Sequence, residues 1–161
     1  MRVVRVTAQT DTEAVAQVAD LFIAYRGFYG REGDETAARA FLRARVDRGD
    51  SLVWAVLVDG RAAAFAQVYP GHSSLRLHTT WQLNDLFVAS DVRGGGAGVA
   101  LVRHVLAEAA DAGAHEVRLE TQRTNTRARA LYERLGFGLA ADAAQDGEFL
   151  TYTRAPGGSD G

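Results

Sequence analysis

A run of glycines between two largely apolar segments constrains the fold of this chain more than any other feature. Residues 83–88 are strand-like, residues 93–98 contain four glycines, and residues 99–112 have the apolar spacing of a helix. Glycines at a strand-to-helix junction allow backbone N–H groups to converge on one point, and the positive end of the helix dipole points to the same place. The sequence therefore predicts a turn that binds a phosphate group.

Two common glycine fingerprints do not match this turn. The dinucleotide-binding pattern G-x-G-x-x-G/A fails from either Gly94 or Gly96, because its last position is then neither glycine nor alanine. The P-loop requires a lysine after its last glycine, and all 18 basic residues of this chain are arginines. The pattern that remains is R-x-x-G-x-G, formed by Arg93, Gly96 and Gly98.

A second motif lies at residues 125–137, which read N-T-R-A-R-A-L-Y-E-R-L-G-F. Together the two motifs resemble the acetyl-CoA-binding motifs of the GNAT N-acetyltransferase superfamily, whose second signature is N-x-x-A-x-x-L-Y-x-x-x-G-F. The resemblance is strong over residues 83–137 and weak on both flanks. Segments 66–70 and 81–88 also resemble the histone/polyamine-type branch of the superfamily. That branch implies a small primary amine as acceptor, with peptide amines left open.

The resemblance implies that acetyl-CoA is the acyl donor. The glycine turn would bind the CoA diphosphate, and the edge of the preceding strand would pair with the pantetheine amides. Arg93 would either contact the anion or only stabilise the turn, and Asn125 would either bind the CoA arm or cap its helix. The implied cofactor-binding residues are Leu86, Phe87, Val88, Arg93, Gly94, Gly95, Gly96, Ala97, Gly98, Val99, Asn125, Ala128 and Tyr132.

Acetyl transfer to an amine also needs a proton for the departing thiolate and a neutral amine. The resemblance makes Tyr132 the candidate acid, because a phenol with a pKa of about 10 can deliver a proton to a thiolate whose thiol has a pKa of about 8.5. A core tyrosine is the alternative interpretation.

The general base stays open. In polyamine-acetylating relatives an acidic residue stands where this chain has Asn84, and an amide cannot accept a proton. The neighbouring Asp85 points to the opposite face of a strand and is also suited to a buried structural role. Glu120 on the next strand and an ordered water are the other candidates. An amine with a pKa of about 10 could also react through its small neutral fraction.

Aromatic and acidic residues near the end of the first predicted helix suit a cationic amine. They are equally typical of an ordinary helix–helix corner, and both interpretations stay open. The candidate substrate-binding residues are Tyr25, Phe28, Tyr29, Glu32, Asp34 and Tyr69.

The composition fits one domain with a substantial core. A chain of 161 residues, 47% of them hydrophobic, is too short for two ordinary domains. We expect a single domain over residues 1–154 and a disordered tail over residues 155–161. Because no apolar run approaches the roughly 18 residues of a membrane span and no signal peptide is apparent, we expect a cytoplasmic protein without a membrane partner. GNAT relatives are often dimers, so a homodimer is expected.

The residue types argue against several other functions. A formal charge of −2 argues against a nucleic-acid partner. The absence of cysteine excludes thiolate metal sites and a cysteine acyl-enzyme, so we expect direct attack in a ternary complex. No metal is expected, because the histidines lack the spacing of metal ligands; they are His72, His78, His104 and His115.

The pattern of apolar residues predicts an α+β (mixed α/β) fold. A capping box at residues 10–13 predicts the first helix, which the segment 26–33 should end, and a second helix should run from Asp34 to the glycine at position 49. Residues 51–69 predict a hairpin and residues 70–74 a loop, with a break in the next strand near residues 79–80. We expect a central mixed, mostly antiparallel sheet of six to seven strands flanked by about four helices, which resembles the GNAT fold.

The predicted function is acetyl-CoA-dependent N-acetylation of a primary amine on a small molecule such as a polyamine or an amino acid. The alternative is a catalytically silent acyl-CoA-binding sensor or partner module, which the amide at position 84 would suit.

Overall fold

A computed structural model describes residues 1–158 of the chain. The last three residues, 159–161, lie outside the described residues, and the end of the predicted disordered tail lies there with them. The preceding residues 155–158 form a turn in which the N–H of Gly158 donates to the carbonyl oxygen of Ala155. The elements in chain order are β1 (Arg2–Val6), α1 (Thr12–Phe28), α2 (Glu35–Arg48), β2 (Leu52–Val58), β3 (Arg61–Ser73), β4 (His78–Val88), a 3₁₀ turn (Ser90–Val92), α3 (Ala97–Asp111), β5 (Glu116–Gln122), α4 (Thr126–Arg134), β6 (Gly138–Leu139) and β7 (Phe149–Arg154).

The strands form one mixed sheet of seven strands in the order β1-β2-β3-β4-β5-β7-β6, counted over residues 1–158. Strand β2 pairs antiparallel with β1 and β3, and β7 pairs antiparallel with β5 and β6. Strands β4 and β5 are parallel. A helix connects them, as a parallel pair requires. The predicted fold class of a mixed, mostly antiparallel sheet with four helices is confirmed.

The contacts of the chain group into two compact units. The first comprises Met1–Tyr69 and Asp85–Leu101, and the second comprises Pro70–Asn84 and the chain from Val102 onward. Strands β3 and β4 and helix α3 each contribute residues to both units. The single domain over residues 1–154 stays a prediction.

The core of the first unit lies between α1, α2 and strands β1 to β3. The apolar residues of α1 and α2 recur every three or four positions, which gives each helix one apolar side. These sides pack against inward-facing side chains of β2 and β3. The buried cluster is Val6, Val15, Val18, Ala19, Leu21, Phe22, Ala38, Leu42, Val46, Val53, Ala55 and Phe65.

In the second unit strand β5 alternates buried and more exposed side chains. Val117 and Leu119 of β5 are buried, whereas Glu120 is exposed. Antiparallel pairing brings Leu119 opposite Tyr152 of β7, which is also buried. This alternation gives β5 one face toward the core and one face toward solvent. Strand β7 is more deeply buried, since residues 150–152 are buried in succession.

Two helix boundaries differ from the prediction. Asp11, not Thr10, caps α1, because its Oδ1 accepts the N–H of Glu13 at 2.9 Å, while the hydroxyl of Thr10 accepts the N–H of Thr7 at 2.8 Å. Helix α1 also continues through Gly27 to Phe28, past the expected break. A single helical glycine costs about 1 kcal/mol, which burial of the rest of the helix outweighs. The second helix is capped by Asp34 and Gly49, as predicted.

The boundaries of strands β3 and β4 differ from the prediction. The expected loop at residues 70–74 is wrong, because β3 continues through Pro70 to Ser73. The expected break near residues 79–80 is also wrong, since β4 is continuous from His78 to Val88. The chain reverses at residues 74–77 instead, where Leu77 has φ 54°. The short strand β6 had no distinct sequence pattern and was not predicted.

None of the helices within residues 1–158 combines the length and apolar character needed to span a bilayer.

Candidate active site

The glycine turn has the backbone geometry that only glycine adopts readily. Gly94 has φ 84° and Gly96 has φ 87°, both in the left-handed region. Helix α3 begins at Ala97, and the N–H of Ala100 donates to the carbonyl oxygen of Gly96 at 2.9 Å. The first N–H groups of a helix have no acceptor within that helix. The turn therefore directs backbone donors, together with the positive end of the α3 dipole, toward one place.

Arg93 is folded back onto the end of β4. Its Nε donates to the carbonyl oxygen of Val88 at 3.1 Å, and its guanidinium carbon lies 5.7 Å from the centroid of the Phe87 ring. These contacts fix the entry to the turn, which is one of the two roles expected for Arg93. Direct contact of Arg93 with an anion stays a prediction.

A surface cavity of about 380 Å³ adjoins the turn. Arg93 and residues of the glycine turn line it and suit an anion, beside the acidic Asp91 and the apolar Met1 and Val58. The lining residues are Met1, Val58, Asp91, Val92, Arg93, Gly95 and Ala97.

The parallel pairing of β4 with β5 places Asn84 and Glu120 on the same face of the sheet. The pairs run from Thr80 opposite Glu116 to Gln82 opposite Arg118. The hydroxyl of Thr80 donates to Oε1 of Glu116 at 3.0 Å, so paired residues share a face. Counting on by two residues in each strand brings Asn84 and Glu120 to that face, and both are exposed.

Asp85 lies on the other face of β4 and is 4% exposed. Nε2 of Gln67 on β3 donates to Asp85 Oδ2 at 2.6 Å, and Oε1 of Gln67 accepts the hydroxyl of Ser51 at 2.8 Å. Gln67 and Ser51 are also buried. A buried carboxylate needs such hydrogen bonds, so this chain gives Asp85 the structural role that was one of its expected alternatives.

Tyr69 lies two residues beyond Gln67 on β3 and is half-buried. The pKa of its phenol is raised to about 12, chiefly by burial, then by the charge of Asp85 and, to a smaller extent, by that of Asp50. The positive charge of Arg45 opposes these effects. The phenol is therefore neutral at physiological pH and is suited to donate a hydrogen bond.

Helix α4 carries the second motif. Asn125 caps it, because its Oδ1 accepts the N–H of Ala128 at 3.2 Å. Tyr132 is 6% exposed, and its ring centroid lies 5.8 Å from that of Phe137 and 6.4 Å from that of Tyr152. Asn125 thus has the capping role that was one of its expected alternatives. The role of Tyr132 as an acid stays a prediction.

The aromatic candidates form a continuous cluster in the first unit. The ring of Tyr25 lies 5.1 Å from that of Tyr29 and 6.4 Å from that of Phe87, and Phe28 contacts Tyr29 at 5.1 Å. Phe28 is 57% exposed, and Glu32 is exposed as well. The structure therefore brings predicted substrate-binding residues against Phe87, a predicted cofactor-binding residue.

Sequence reasoning missed the hydrogen bonds of two buried residues, Gln67 and Tyr152. Gln67 is the polar member of an otherwise apolar strand segment, and that isolation is a signal of a buried hydrogen-bonding partner. Tyr152 gave no signal, because a tyrosine in a strand is ordinary.

Among residues 1–158, no group of three or more histidine, aspartate or glutamate side chains is arranged to hold a metal ion.

The comparisons with known proteins agree with this geometry. The model of the acetyltransferase (GNAT) family matches residues 16–137. An uncharacterised N-acetyltransferase of Bacillus subtilis, YhfO, is 37% identical over 129 residues, which cover 80% of this chain and 87% of that protein. The chain belongs to the acetyltransferase (GNAT) family. The protein is an acetyltransferase.

Solved structures show the same fold. The crystal structure of a probable acetyltransferase has a TM-score of 0.81 at 34% identity and covers 89% of this chain and 94% of that chain. An aminoglycoside 6'-N-acetyltransferase complexed with coenzyme A has a TM-score of 0.75 at 16% identity and covers 97% of this chain and 97% of that chain. At that identity, the second likeness concerns the fold alone.

We expect Gly96→Ala to weaken the binding of coenzyme A about tenfold. Alanine at this positive φ is strained by about 1–2 kcal/mol, and the turn would relieve the strain by moving its N–H groups. Isothermal titration calorimetry measures the effect. The matched control is Gly147→Ala, since a Cβ there meets no atom within 4 Å. Equal affinities of Gly96→Ala and the wild type would contradict the prediction.

We expect Tyr69 to ionise well above the ordinary range of a tyrosine. Its folded pKa of about 12 exceeds the ordinary value of 10.0, so the folded state retains the proton longer than the unfolded state does. Its contribution to stability is complete below about pH 10 and is lost as the pH rises toward 12. The curve of tyrosinate absorbance against pH should lose a step near pH 12 in Tyr69→Phe. Asp50→Asn should move that step to lower pH, and a Tyr69→Phe curve that keeps the step would show the prediction wrong.

Proposed function

We propose that the enzyme transfers the acetyl group of acetyl-CoA to a primary amine of a small molecule by direct attack in a ternary complex. The observation that carries the proposal is that α3 begins at Ala97, directly after Gly94 and Gly96 in the sequence, and that both glycines have positive φ. Backbone donors and a helix dipole at one point suit a diphosphate. Membership of the GNAT family supports acetyl-CoA as the diphosphate-containing donor.

The donor would extend from the turn along β4. The N–H groups of Gly94 and of Gly96 to Val99 would bind the diphosphate, while that of Gly95 donates to the carbonyl oxygen of Val92 at 3.3 Å. The backbone of Leu86 to Val88 would pair with the amides of the pantetheine arm. An N–H of the same strand would polarise the thioester carbonyl. When bound, acetyl-CoA supplies an activated acyl group, and the chain supplies orientation and protons.

Tyr132 is the proposed acid for the departing thiolate. Its phenol belongs to the helix that begins at Asn125, and the rings of Phe137 and Tyr152 restrict its orientation. A fixed phenol can deliver a proton to one position without reorganisation.

Glu120 is the proposed base. It is an exposed carboxylate on the same face as Asn84, the position where polyamine-acetylating relatives have an acid. Asp85 is less suited, because it is 4% exposed and already accepts a hydrogen bond from Gln67. Glu120 would remove the proton that the attacking nitrogen loses, directly or through one water.

The acceptor amine would bind beside the aromatic cluster of Tyr25, Phe28 and Tyr29. Aromatic faces and the carboxylate of Glu32 favour a cationic group, and the neutral phenol of Tyr69 would donate a hydrogen bond. A cytoplasmic homodimer, expected from the sequence, belongs to this proposal.

We expect Tyr132→Phe to lower kcat about 100-fold, because general acid catalysis is typically worth at least that much. Binding of coenzyme A should change little, since the phenylalanine ring keeps the packing. The measurement is thiol release with acetyl-CoA and a panel of polyamines, amino acids and other amines. Full kcat in Tyr132→Phe would refute the acid role. Coenzyme A binding without thiol release on any amine would favour the silent acyl-CoA-binding module instead.

We expect Glu120→Gln to lower kcat/KM by about 100-fold near neutral pH. This difference in kcat/KM between variant and wild type should become smaller as the pH approaches the pKa of the amine. At high pH the substrate is already neutral, so a base adds less. Rate against pH in both proteins is the measurement. The matched control is Glu148→Gln, which changes an exposed glutamate in the loop before β7. A constant ratio of rates across the pH range would exclude Glu120 as the base.

A further inference from the structure

Helix α4 buries few of its side chains. It contains nine residues, and Tyr132 is the one buried side chain within the described helix Thr126–Arg134, followed by the buried Leu135 at its C-terminal cap. Isolated helices shorter than about 12 residues are marginal in water, so tertiary contacts must supply the stability of α4. The proposed acid is therefore on an element whose position depends on a few buried side chains and on polar contacts.

Strand β7 supplies a polar contact to this helix. Tyr152 is 1% exposed, yet its hydroxyl reaches two side chains of α4. It donates to Oε1 of Glu133 at 2.8 Å and accepts from Nε of Arg129 at 3.2 Å. Arg129 and Glu133 are one helical turn apart, so the hydroxyl is held between two points along the helix axis. A buried tyrosine hydroxyl without partners would be costly, and here both partners come from α4.

A second contact from the same face of β7 fixes the end of α4. Arg154 follows Tyr152 by two residues and is 9% exposed. Its guanidinium donates to the carbonyl oxygen of Leu135 at 2.6 Å. A positive charge at this position also interacts favourably with the negative end of the helix dipole. Strand β7 thus holds α4 at its middle and at its end.

The bridging side chain of Arg129 is itself fixed. Besides its bond to Tyr152, it donates through Nη1 to the carbonyl oxygen of Arg123 at 3.1 Å. The segment before the helix, the helix and the strand are therefore connected through one guanidinium. A hydrogen bond depends on direction, whereas apolar contact does not, so this connection specifies how α4 is rotated on β7.

We propose that Tyr152 is a positioning residue for acetyl transfer: its hydroxyl, held between Arg129 and Glu133, sets the orientation of α4 and thereby of the Tyr132 phenol. The ring of Tyr132 lies 6.4 Å from that of Tyr152, so a rotation of α4 moves the two rings relative to each other. The inference rests on the proposed function, in which Tyr132 is the acid. A phenylalanine at position 152 would fill the same core volume and lose only the directional contact.

A double-mutant cycle tests whether Tyr152 acts through Tyr132. We expect Tyr152→Phe to lower kcat about tenfold while KM for acetyl-CoA stays within about twofold. In the Tyr132→Phe background the same change should have almost no further effect, because the group that it positions is gone. Wild-type kcat in Tyr152→Phe would overturn the proposal. The proposal would also be overturned if Tyr152→Phe lowered kcat by the same factor in the wild type and in Tyr132→Phe, because such a result indicates general loss of structure.

Rescue by a conservative variant separates the hydrogen bond from packing. Glu133→Gln keeps an oxygen that accepts from Tyr152 and should retain most of the rate, whereas Glu133→Ala should behave like Tyr152→Phe. The matched control is Asp47→Ala, which breaks another pair four residues apart on a helix, Arg43 to Asp47 at 3.0 Å. It should leave kcat unchanged. Equal kcat values for Glu133→Gln and Glu133→Ala would contradict a role for the hydrogen bond between Tyr152 and Glu133.

A spectroscopic measurement decides the proposal without activity. In NMR spectra of protein with isotope-labelled tyrosine Cζ, the chemical shift of Tyr132 should change in Tyr152→Phe and in Glu133→Ala. It should not change in Asp47→Ala. An unmoved Tyr132 resonance in Tyr152→Phe would overturn the positioning role even if the enzyme is active. If the wild type transfers no acetyl group, the proposed function fails, and this measurement still tests the contact between Tyr152 and Tyr132.

Discussion

The alternation of side chains along β4 is the constraint on which the site depends. Successive residues point to opposite faces, so Asn84 is exposed while Asp85 is buried. The parallel pairing with β5 places Glu120 on the face of Asn84, as it places Glu116 on the face of Thr80. A shift of one residue in this pairing would exchange the two faces of β5, so the register separates the buried carboxylate of Asp85 from that of Glu120, the proposed base.

The buried face of β4 shows why a carboxylate there can be structural. Asp85 is bonded through Gln67 to Ser51, which links β4, β3 and the start of β2 by directional contacts inside an apolar layer. A buried network of this kind is stabilising only when each of its polar groups has a hydrogen-bond partner. It then specifies one arrangement of the strands. Its charge adds to the effect of burial in raising the pKa of Tyr69, a half-buried residue of β3. One buried carboxylate thus affects both strand packing and the chemistry of a neighbouring phenol.

Local features of the fold could be predicted from the sequence, and features that depend on distant partners could not. The glycine turn, the start of α3 and the Asn125 cap each depend on a few adjacent residues, and the structure has them where the sequence places them. The continuation of β3 through Pro70 depends on its partner strand, and local turn chemistry indicated a loop instead. The contacts of Tyr152 with Arg129 and Glu133 join residues about twenty positions apart, and neither periodicity nor a motif records such pairs. The expected cap at Thr10 was wrong by one residue because two adjacent polar side chains can both cap, and geometry selects Asp11.

The two helices that carry the motifs are fixed by different forces, and this difference bears on function. Helix α3 has buried Leu101, Val102 and Val105 along one side, so apolar burial fixes it and leaves its first turn available to donate N–H groups. Helix α4 buries Tyr132 and the capping Leu135. It also receives directional contacts from the hydroxyl of Tyr152 and the guanidinium of Arg154. Apolar burial tolerates small rotations, whereas a hydrogen bond weakens steeply when its angle changes. Binding a diphosphate requires only that several donors converge, but delivering a proton requires one hydroxyl in one place. The directional contacts therefore occur on the helix whose proposed task is the more sensitive to orientation.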